Sequence, residues 1–475
     1  MKKLLLALFV TSVSFSQELT KEFNFKLPKN SDVFQVVEED KKQISLFFSD
    51  KNYARTLRFD DSFNLIDSLK AQRPSKLYYD IIGYSISGNK YYSYWSNLNS
   101  KEIASQCFDF DSKNTNIKSY RLEFEKEKPI KKITINNIFY LITVVKNTSI
   151  LNVYVFNDGQ MEKKSIDLSD KTFLDYESKK TNLWEIVNEY TSFEPALTIQ
   201  NIVNETPPSL TFSANKRKAY TKDNNLILTF DNNQNFTQLL NINLSNFSCF
   251  QKLYNQPFMV QSEFSSFDSN SFLLNNKIIQ MKINSSKMAM TIKDLEGNEL
   301  KNFEIITDQE IDFKNSEIIQ ENGKISNTRI LEKSSQLLRK IYNLNPSIAC
   351  FENDNNIYMT IGGVSTLQNN SAAMYGGMIG GLTGALIGAA ISSNYSVNNL
   401  NSYTNRKVVY INCLFDNNFN HIKGTIKKLA FDELRSFAEE KSNLTSQTVF
   451  RFNSNLYFGG FNHKNSNYSF YKFQN

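Results

Sequence analysis

The chain repeats one local pattern seven times: an Asn-rich turn, an apolar strand, a polar loop, a second strand, a polar turn and a third strand. The clearest copy reads NN-IFYLITVV-KNTS-ILNVYVF-NDGQ-MEKKSIDL and starts at Asn136. The other copies start at Lys41, Gly88, Asn224, Asn275, Asn355 and Ser454; the copy at Asn355 is interrupted and resumes as RKVVYINCLFD-NNF-NHIKGTI, with NHIKGTI as its last strand. Asn, Asp and Gly tolerate the positive φ angles of tight hairpins, and short apolar runs between turns are typical of strands. The pattern therefore predicts an all-β chain of short antiparallel strands.

A further apolar strand precedes each Asn-rich turn, so a unit has four strands and spans about fifty residues. Such units resemble the blades of a β-propeller. The resemblance is one of architecture only, because no WD, kelch or other family signature is present. It implies a single domain over residues 17–475, a seven-bladed β-propeller. A ring of six or eight blades, or two stacked β domains, are the alternatives.

The N-terminal segment KEFNFKLP has no partner within the repeat. Phe23, Phe25 and Leu27 alternate, which places them on one face of a strand. The seventh unit ends after its third strand, at YSFYKFQN. The N-terminal strand would complete the last blade and close the ring.

Residues 1–16 have the features of a secretory signal peptide. The basic residues Lys2 and Lys3 are followed by an apolar run from Leu4 to Val10 and by the small residues Ser14 and Ser16 before the expected cleavage site. The run is too short for a membrane anchor. We expect cleavage before Gln17 and an exported protein, whether periplasmic, associated with the outer envelope or extracellular.

Three insertions interrupt the repeat, at residues 169–208, 309–345 and 365–405. Strand direction alternates within a blade, so all three should emerge on one face, where functional loops are usually carried. The first insertion contains a predicted short helix with Leu183, Trp184 and Ile186–Val187, and the second contains one with Leu337, Leu338 and Ile341. Both helices are expected to pack on the domain.

The third insertion carries the run MYGGMIGGLTGALIGAAI at residues 374–391. On a helix, small residues spaced four apart form one flat stripe, and this run resembles the glycine zippers of membrane-associated bacterial proteins. The stripe consists of Gly376, Gly380, Gly384 and Gly388 with the adjacent register Gly377, Gly381, Ala385 and Ala389. Six glycines cost on the order of 5 kcal/mol in a helix, so such a helix needs a partner surface or lipid.

Three interpretations of this stripe remain open. It inserts into a membrane as a paired structure, it associates with a protein partner or a second copy, or it lies on its own domain or in a Gly-rich loop. Ser/Asn-rich flanks without Lys or Arg anchors argue against a true membrane span. We therefore favour association or a surface-lying helix, and membrane contact remains an alternative.

The sequence offers few residues for chemistry. Cys107, Cys249, Cys350 and Cys413 lack metal-ligand spacing and read as buried apolar residues; only Cys350–Cys413, in one repeat unit, is a disulfide candidate. His421 and His463 have no acidic or Cys partner nearby in sequence, which argues against a His triad or a zinc site. Acidic motifs such as FDD, FDFD, FDNN and FENDNN are best explained as hairpin turns.

These observations predict no catalytic residue, no metal site and no cofactor. The net charge of +6 is mild and scattered, which argues against nucleic acid. We expect a non-catalytic interaction or assembly scaffold at the cell envelope. The alternative is a carbohydrate-active or other hydrolase with carboxylates in a central funnel; raised carboxylate pKa values there would favour it, and exposed apolar insertions would favour the scaffold.

Overall fold

The computed structural model describes residues 17–29, 31–260, 266–323, 327–366, 395–404 and 406–474. Over these residues the fold is all-β, with thirty-two strands in small sheets and five short helices in the connections. None of these helices combines the length and the apolar character that crossing a bilayer requires. The repeated-sheet structure is propeller-like.

Strand β1 (Glu18–Asn24) belongs to the last sheet, and the next twelve strands form three sheets of four strands in sequence order. Sheet 1 contains β2 (Asp32–Glu38), β3 (Gln43–Ser49), β4 (Tyr53–Phe59) and β5 (Leu65–Gln72). Sheet 2 contains β6 (Asp80–Ser87), β7 (Lys90–Ser96), β8 (Glu102–Asp109) and β9 (Asn114–Arg121). Sheet 3 contains β10 (Glu127–Ile135), β11 (Ile138–Val145), β12 (Ile150–Asn157) and β13 (Gln160–Asp167).

The turn between the first and second strands of a unit has the geometry that its sequence predicts. Asn136 and Asn137 have φ angles of 48° and 62°, and Asp354 and Asn355 have φ angles of 50° and 61°. Two successive positive φ angles define the type I′ turn, whose twist matches that of the flanking strands. The Asn-rich turns thus set the hairpins of the repeat.

The first insertion contributes strands of its own. β14 (Phe173–Leu174) and β15 (Lys180–Thr181) pair with each other, and β16 (Gln200–Asn201) joins the next sheet in parallel orientation. Sheet 4 contains β16, β17 (Arg217–Lys222), β18 (Asn225–Phe230), β19 (Phe236–Asn243) and β20 (Cys249–Asn255). Sheet 5 contains β21 (Asp268–Leu274), β22 (Lys277–Ile283), β23 (Lys287–Asp294) and β24 (Glu299–Ile306).

Sheet 6 takes its outer strands from the second insertion. It contains β25 (Ile318–Asn322), β26 (Thr328–Leu331), β27 (Asn345–Asn353), β28 (Asn356–Val364) and β29 (Lys407–Asp416), in the order β26-β25-β29-β28-β27. The sequence predicted that NHIKGTI would follow β29 as its neighbour, and this prediction is wrong. Only His421 of that segment bridges to Phe415, because β25 already pairs with the edge of β29.

Sheet 7 contains β30 (Thr445–Phe452), β31 (Asn455–Asn462) and β32 (Asn467–Phe473), with β1 antiparallel to β32. The register places Phe23 opposite Tyr468. Phe23, Phe25 and Leu27 pack against a buried cluster shared by sheets 1 and 7. Strands near the two ends of the described residues therefore meet in one sheet.

Five helices lie outside the sheets: α1 (Leu183–Asn188), α2 (Leu210–Ser213), α3 (Ser334–Tyr342), α4 (Tyr395–Ser402) and α5 (Ala430–Glu440). α1 and α3 occur where the insertions predicted helices, and their apolar residues are buried as expected. The sequence analysis missed α5, although Ala430, Phe431, Leu434 and Phe437 follow helical spacing.

Apolar clusters join neighbouring sheets. Separate clusters combine sheets 1 and 2, sheets 2 and 3, sheets 3 and 4, and sheets 7 and 1, and a large one spans sheets 4, 5 and 6. Among the described residues, sheets 6 and 7 share no such cluster. α2 packs on sheet 6, whereas α4 and α5 pack on sheet 7.

The four cysteines are free thiols. Cys350 on β27 and Cys413 on β29 both stand in register with Met359 of the intervening strand β28. Two strand spacings are about 10 Å, whereas the Cα atoms of a disulfide lie within about 7 Å of each other. The Cys350–Cys413 disulfide is therefore not formed, and burial raises the pKa of both thiols.

Candidate functional site

Residues 199–209, at the end of the first insertion, contact the first strands of several sheets; we call them the inner segment. Its strand β16 pairs in parallel with β17 of sheet 4. On the other side, Lys131 Nζ of β10 in sheet 3 donates to the carbonyl oxygen of Ile199 at 2.8 Å. The inner segment thus begins between sheets 3 and 4.

The inner segment continues toward sheets 5, 6 and 7. Asn204 lines a cavity of about 600 Å³ together with Asn275, which follows β21, and with Glu352 of β27. Arg451 Nε of β30 donates to the carbonyl oxygen of Glu205 at 2.5 Å. Just beyond the segment, the Ser347 hydroxyl of β27 donates to the carbonyl oxygen of Leu210 at 2.8 Å. Sheets 3 to 7 therefore all reach this one short stretch.

Helix α4 of the third insertion holds the end of the inner segment. Asn399 Nδ2 donates to the carbonyl oxygen of Pro207 at 2.8 Å, and Tyr403 Oη donates to the same oxygen at 2.9 Å. Asn399 Oδ1 accepts from the backbone N–H of Ser209 at 2.9 Å, and the Ser209 side chain caps α2. The first and third insertions are therefore joined by specific hydrogen bonds.

Glu205 is the acidic residue of the inner segment. Its side chain reaches solvent, but the surrounding protein raises the pKa of its carboxyl, and Arg451 opposes that rise. Burial also raises the pKa of Tyr84 on β6, with a further contribution from Glu205. Because the charge of Glu205 acts on Tyr84, sheet 2 also lies near the inner segment.

Asp32 and Asp80 start the first strands of sheets 1 and 2. Burial raises the pKa of Asp32 to about 6, with Asp80 raising it further and Arg73 lowering it. Burial also raises the pKa of Asp80, opposed by Lys132 and Arg73. No described residue donates a hydrogen bond to either carboxylate. Asp32 is nevertheless exposed and Asp80 is half-buried, so solvent reaches both carboxylates.

One lysine on β10, Lys132, completes this charged group, whereas the neighbouring Lys131 donates to the inner segment. Burial lowers the pKa of Lys132 to about 8, partly offset by Asp80, and burial lowers the pKa of Lys131 to about 7. Carboxylates and amines with pKa values near neutrality can exchange protons at physiological pH. Asp32 and Lys132 are therefore able to exchange protons with a polar ligand near neutral pH.

The structure explains most of the acidic motifs. The Asp60 carboxylate accepts from the backbone N–H groups of Ser62 and Asn64, and the Asp416 carboxylate accepts from those of Asn418 and Asn420. These are turn residues, as the sequence predicted. Asp231, in the first FDNN motif, is different: it forms a fully buried salt bridge with Lys218.

The described residues contain no group of three or more His, Cys, Asp or Glu side chains placed to hold a metal. His421 faces Asn315 Oδ1 at 3.1 Å, and His463 packs edge-on against Phe461. The glycine stripe (Gly376, Gly377, Gly380, Gly381, Gly384, Ala385, Gly388, Ala389) and residues 1–16 lie outside the described residues.

Large apolar side chains are exposed in the connections between strands. Among the described residues, the four most exposed are Phe258 at 86%, Val260 at 79%, Tyr190 at 74% and Leu98 at 65%. Tyr190 belongs to the first insertion, Leu98 joins β7 to β8, and Phe258 and Val260 join sheets 4 and 5. All four lie in connections between successive sheets or between second and third strands.

No family model matches the chain, and no curated protein matches it. Among solved structures, a protein from Lactobacillus plantarum is 8% identical over 68% of this chain and 78% of that chain, with a TM-score of 0.26. A mutant of Synechocystis apocarotenoid oxygenase is 6% identical over 55% and 58%, with a TM-score of 0.28. A prolyl endopeptidase is 8% identical over 71% and 41%, with a TM-score of 0.30. TM-scores this low support no conclusion about function.

Proposed function

We propose that this protein is an exported, non-catalytic interaction or assembly scaffold of the cell envelope, built as a seven-bladed β-propeller that β1 closes. The observation that carries the proposal is the inner segment. In a propeller with an open axial funnel, the first strands face solvent or a ligand. Here hydrogen bonds from Lys131, Arg451 and Ser347 on three different first strands end on this segment or on Leu210 directly after it. In the proposed ring, this part of the chain would occupy much of that space.

The ring arrangement is supported by how the sheets contact one another. Apolar clusters link sheets 1 through 6 in chain order, and another links sheet 7 back to sheet 1. The pairing of β1 with β32 gives sheet 7 the four strands of a complete blade. A linear stack of sheets would leave sheets 1 and 7 apart.

One face of the ring is proposed to be the interaction surface. Within an antiparallel sheet, connections to the next sheet and connections from second to third strands emerge at the same end. The hydrogen bonds between α4 and the inner segment join two insertions, which fits a common face. Phe258, Val260, Tyr190 and Leu98 would lie there as apolar contacts for a partner.

The glycine stripe at 374–391 remains part of the proposal, as the element for self-association or for binding a protein partner; membrane contact is the alternative. Its position in the third insertion places it next to α4 in sequence. Export through the signal peptide would bring the protein to the periplasm, the outer envelope or the outside. Mass spectrometry of the secreted form tests this, with Gln17 expected at its N terminus.

Light scattering tests the scaffold with a second copy of the chain as partner. The mature protein is expected to form an oligomer that dissociates when residues 370–395 are deleted or when Phe258→Ser is combined with Val260→Ser. Phe250→Ser is the matched control, because Phe250 is 56% exposed but lies on the outer strand β20. A mature protein that is monomeric, and whose mass and membrane partitioning the deletion leaves unchanged, contradicts the proposal.

A hydrolase is the second candidate, favoured by the raised pKa values of Asp32 and Asp80. Glycoside hydrolysis uses a pair of carboxyl groups, one of them a general acid with a raised pKa. Activity of the mature protein on a panel of aryl glycosides, abolished by Asp32→Asn and by Asp80→Asn, would establish this function instead. Absence of activity across the panel favours the scaffold.

A further inference from the structure

The boundary between sheets 6 and 7 differs from the other boundaries between neighbouring sheets. The others are filled by apolar clusters, whereas here the described residues leave a cavity of about 160 Å³. One wall is the face of sheet 6 that carries Tyr358, Thr360 and Tyr410. The other wall is formed by α5 and by Tyr403 at the end of α4. A sheet face that is half-buried beside a cavity of this size is available to a small ligand.

Four charged side chains line this cavity, two of each sign: Arg435, Lys427, Glu321 and Asp432. The side chains of Arg435 and Glu321 are 12% and 7% exposed, and their charged groups are 3.6 Å apart. Arg435 also lies over the ring of Tyr403 at 4.0 Å. The cavity is thus electrically neutral but strongly polar.

The Arg435 guanidinium brings hydrogen-bond donors to the cavity. Its distance of 3.6 Å from Glu321 is longer than a hydrogen bond, and no described residue accepts a hydrogen bond from it. The side chain is 12% exposed, so its donors keep some contact with solvent and are able to bond a ligand that enters the cavity. An acceptor supplied by a ligand would satisfy these donors.

The remaining polar groups of the walls are held in place. Tyr410 donates to Glu321 at 2.5 Å, Tyr403 donates to the carbonyl oxygen of Pro207 at 2.9 Å, and the Leu429 N–H donates to Asp432 at 2.9 Å. Thr360 donates to Asn412 Oδ1 at 2.9 Å. Donors on Arg435 and Asn412 and acceptors on Glu321 and Asp432 therefore face the cavity in fixed positions, beside tyrosine rings.

We propose that this cleft binds one neutral sugar residue. Each sugar hydroxyl both donates and accepts, which matches a wall that offers donors and acceptors together, and the tyrosine rings suit the C–H face of the sugar. An anion would meet the carboxylates of Glu321 and Asp432, and a cation would meet Arg435 and Lys427. The end of the inner segment, Pro207–Ser209, also lines this cleft. The inference uses neither the exposed apolar connections nor the glycine stripe, so it does not depend on the proposed function.

The test is ligand-observed NMR on the mature protein with free hexoses and N-acetylhexosamines, and with a uronic acid and an amino sugar as charged comparisons. A ligand of this size is expected to bind with a Kd on the order of 1 mM. At least one neutral sugar should bind, and the charged sugars should bind at least tenfold more weakly. No neutral binder, or equal binding of a charged sugar, overturns the proposal.

Two variants with matched controls locate the site. Arg435→Gln and Tyr358→Ala are each expected to weaken binding at least tenfold; Tyr358→Ala serves if Arg435→Gln folds poorly. Arg339→Gln on α3 and Tyr53→Ala on β4 are the controls, because both residues are exposed and lie away from the cleft. Binding that survives in folded Arg435→Gln and in Tyr358→Ala would place the sugar elsewhere and overturn the assignment.

Discussion

Lys218 and Asp231 form a salt bridge in which neither side chain has any solvent exposure. Lys218 Nζ lies 2.9 Å from the Asp231 carboxylate, which also accepts from the hydroxyls of Thr237 and Ser271. Both hydroxyls and Lys218 favour the ionised acid, so the pKa of Asp231 is below its ordinary value despite burial. A buried pair of this kind is costly to break and adds little net stability when intact.

Asp231→Asn is therefore expected to lower the free energy of unfolding by about 3–5 kcal/mol, because Lys218 stays buried without a counter-charge. The double variant Lys218→Met with Asp231→Leu should lose much less, since it removes both charges. Urea denaturation gives the comparison. An equal loss of unfolding free energy in the two variants would show that the intact ion pair stabilises the fold. The cost of an unpaired buried lysine would then not explain the effect of Asp231→Asn.

The raised pKa of Asp32 predicts that the free energy of unfolding depends on pH. Its folded pKa of about 6 exceeds its ordinary value of 3.8, so the folded state holds the proton more tightly than the unfolded chain. This group therefore costs stability at pH 7, and the cost disappears as the pH falls below about 4. A shift of two units corresponds to about 3 kcal/mol, but solvent screening of the exposed Asp32 reduces this to about 1 kcal/mol.

We accordingly expect Asp32→Asn to be more stable than the parent protein at pH 7 by about 1 kcal/mol and equally stable at pH 4. Urea denaturation at the two pH values measures both differences. Asp61→Asn, at an exposed turn position, is the control and should give no such dependence. A stabilisation by Asp32→Asn that persists unchanged at pH 4 contradicts the role of the charge.

The motif FDNN shows why some residues could not be assigned from sequence. It occurs twice, at 230–233 and 415–418. At the second site Asp416 caps its own turn, a local interaction that the spacing of Asp and Asn predicts. At the first site Asp231 pairs with Lys218 and contacts Ser271 of the next sheet. Those partners are distant in sequence, so the Asp of the same motif has a different role at each site.

At the scale of elements, β1 depends on an aromatic cluster. The Phe23 ring lies 5.3 Å from Phe25, 5.1 Å from Phe59 and 5.6 Å from Tyr468. Phe23→Asp would place a carboxylate among these rings and is expected to detach β1, at a cost of about 3 kcal/mol or more. Detachment also exposes the edge of β32, which favours aggregation.

Thermal unfolding and light scattering measure both consequences. Leu19→Asp on the same strand is the control, because Leu19 is 51% exposed, and it should leave the midpoint and the mass unchanged. If Phe23→Asp behaved like Leu19→Asp, the contribution of β1 to stability would be negligible.

Local patterns predicted the hairpins, α1 and α3, because turn chemistry and apolar periodicity act over a few residues. The apolar spacing in α5 was available in the sequence but lay in a segment assigned to the repeat. The pairing of β25 with β29 was not predictable in this way: eighty-four residues lie between the paired residues Asn322 and Lys407 in the chain, and only tertiary packing brings these strands together. The same holds for the inner segment, whose partners belong to other sheets.

At the scale of the whole molecule, the proposed ring depends on one pairing between distant parts of the chain. Glu18 and Lys472 stand opposite each other on β1 and β32. Directly paired residues of antiparallel strands have Cα atoms about 4.5–5.5 Å apart, which suits a disulfide. The pairing encloses nearly the entire described chain in one loop, and the chain-entropy account assigns such a loop on the order of 5 kcal/mol of stabilisation.

We therefore expect that Glu18→Cys combined with Lys472→Cys forms an intramolecular disulfide on oxidation and raises the free energy of unfolding by up to about 5 kcal/mol. The oxidised protein should migrate faster than the reduced form on a denaturing gel, since its unfolded chain is circular. The single variants are controls, because the native cysteines are free and three of the four are buried. If β1 pairs with β32 of another copy instead, the double variant forms disulfide-linked dimers. The closed ring would then give way to a strand-exchanged assembly, because the same strand pairing would join two chains rather than the two ends of one.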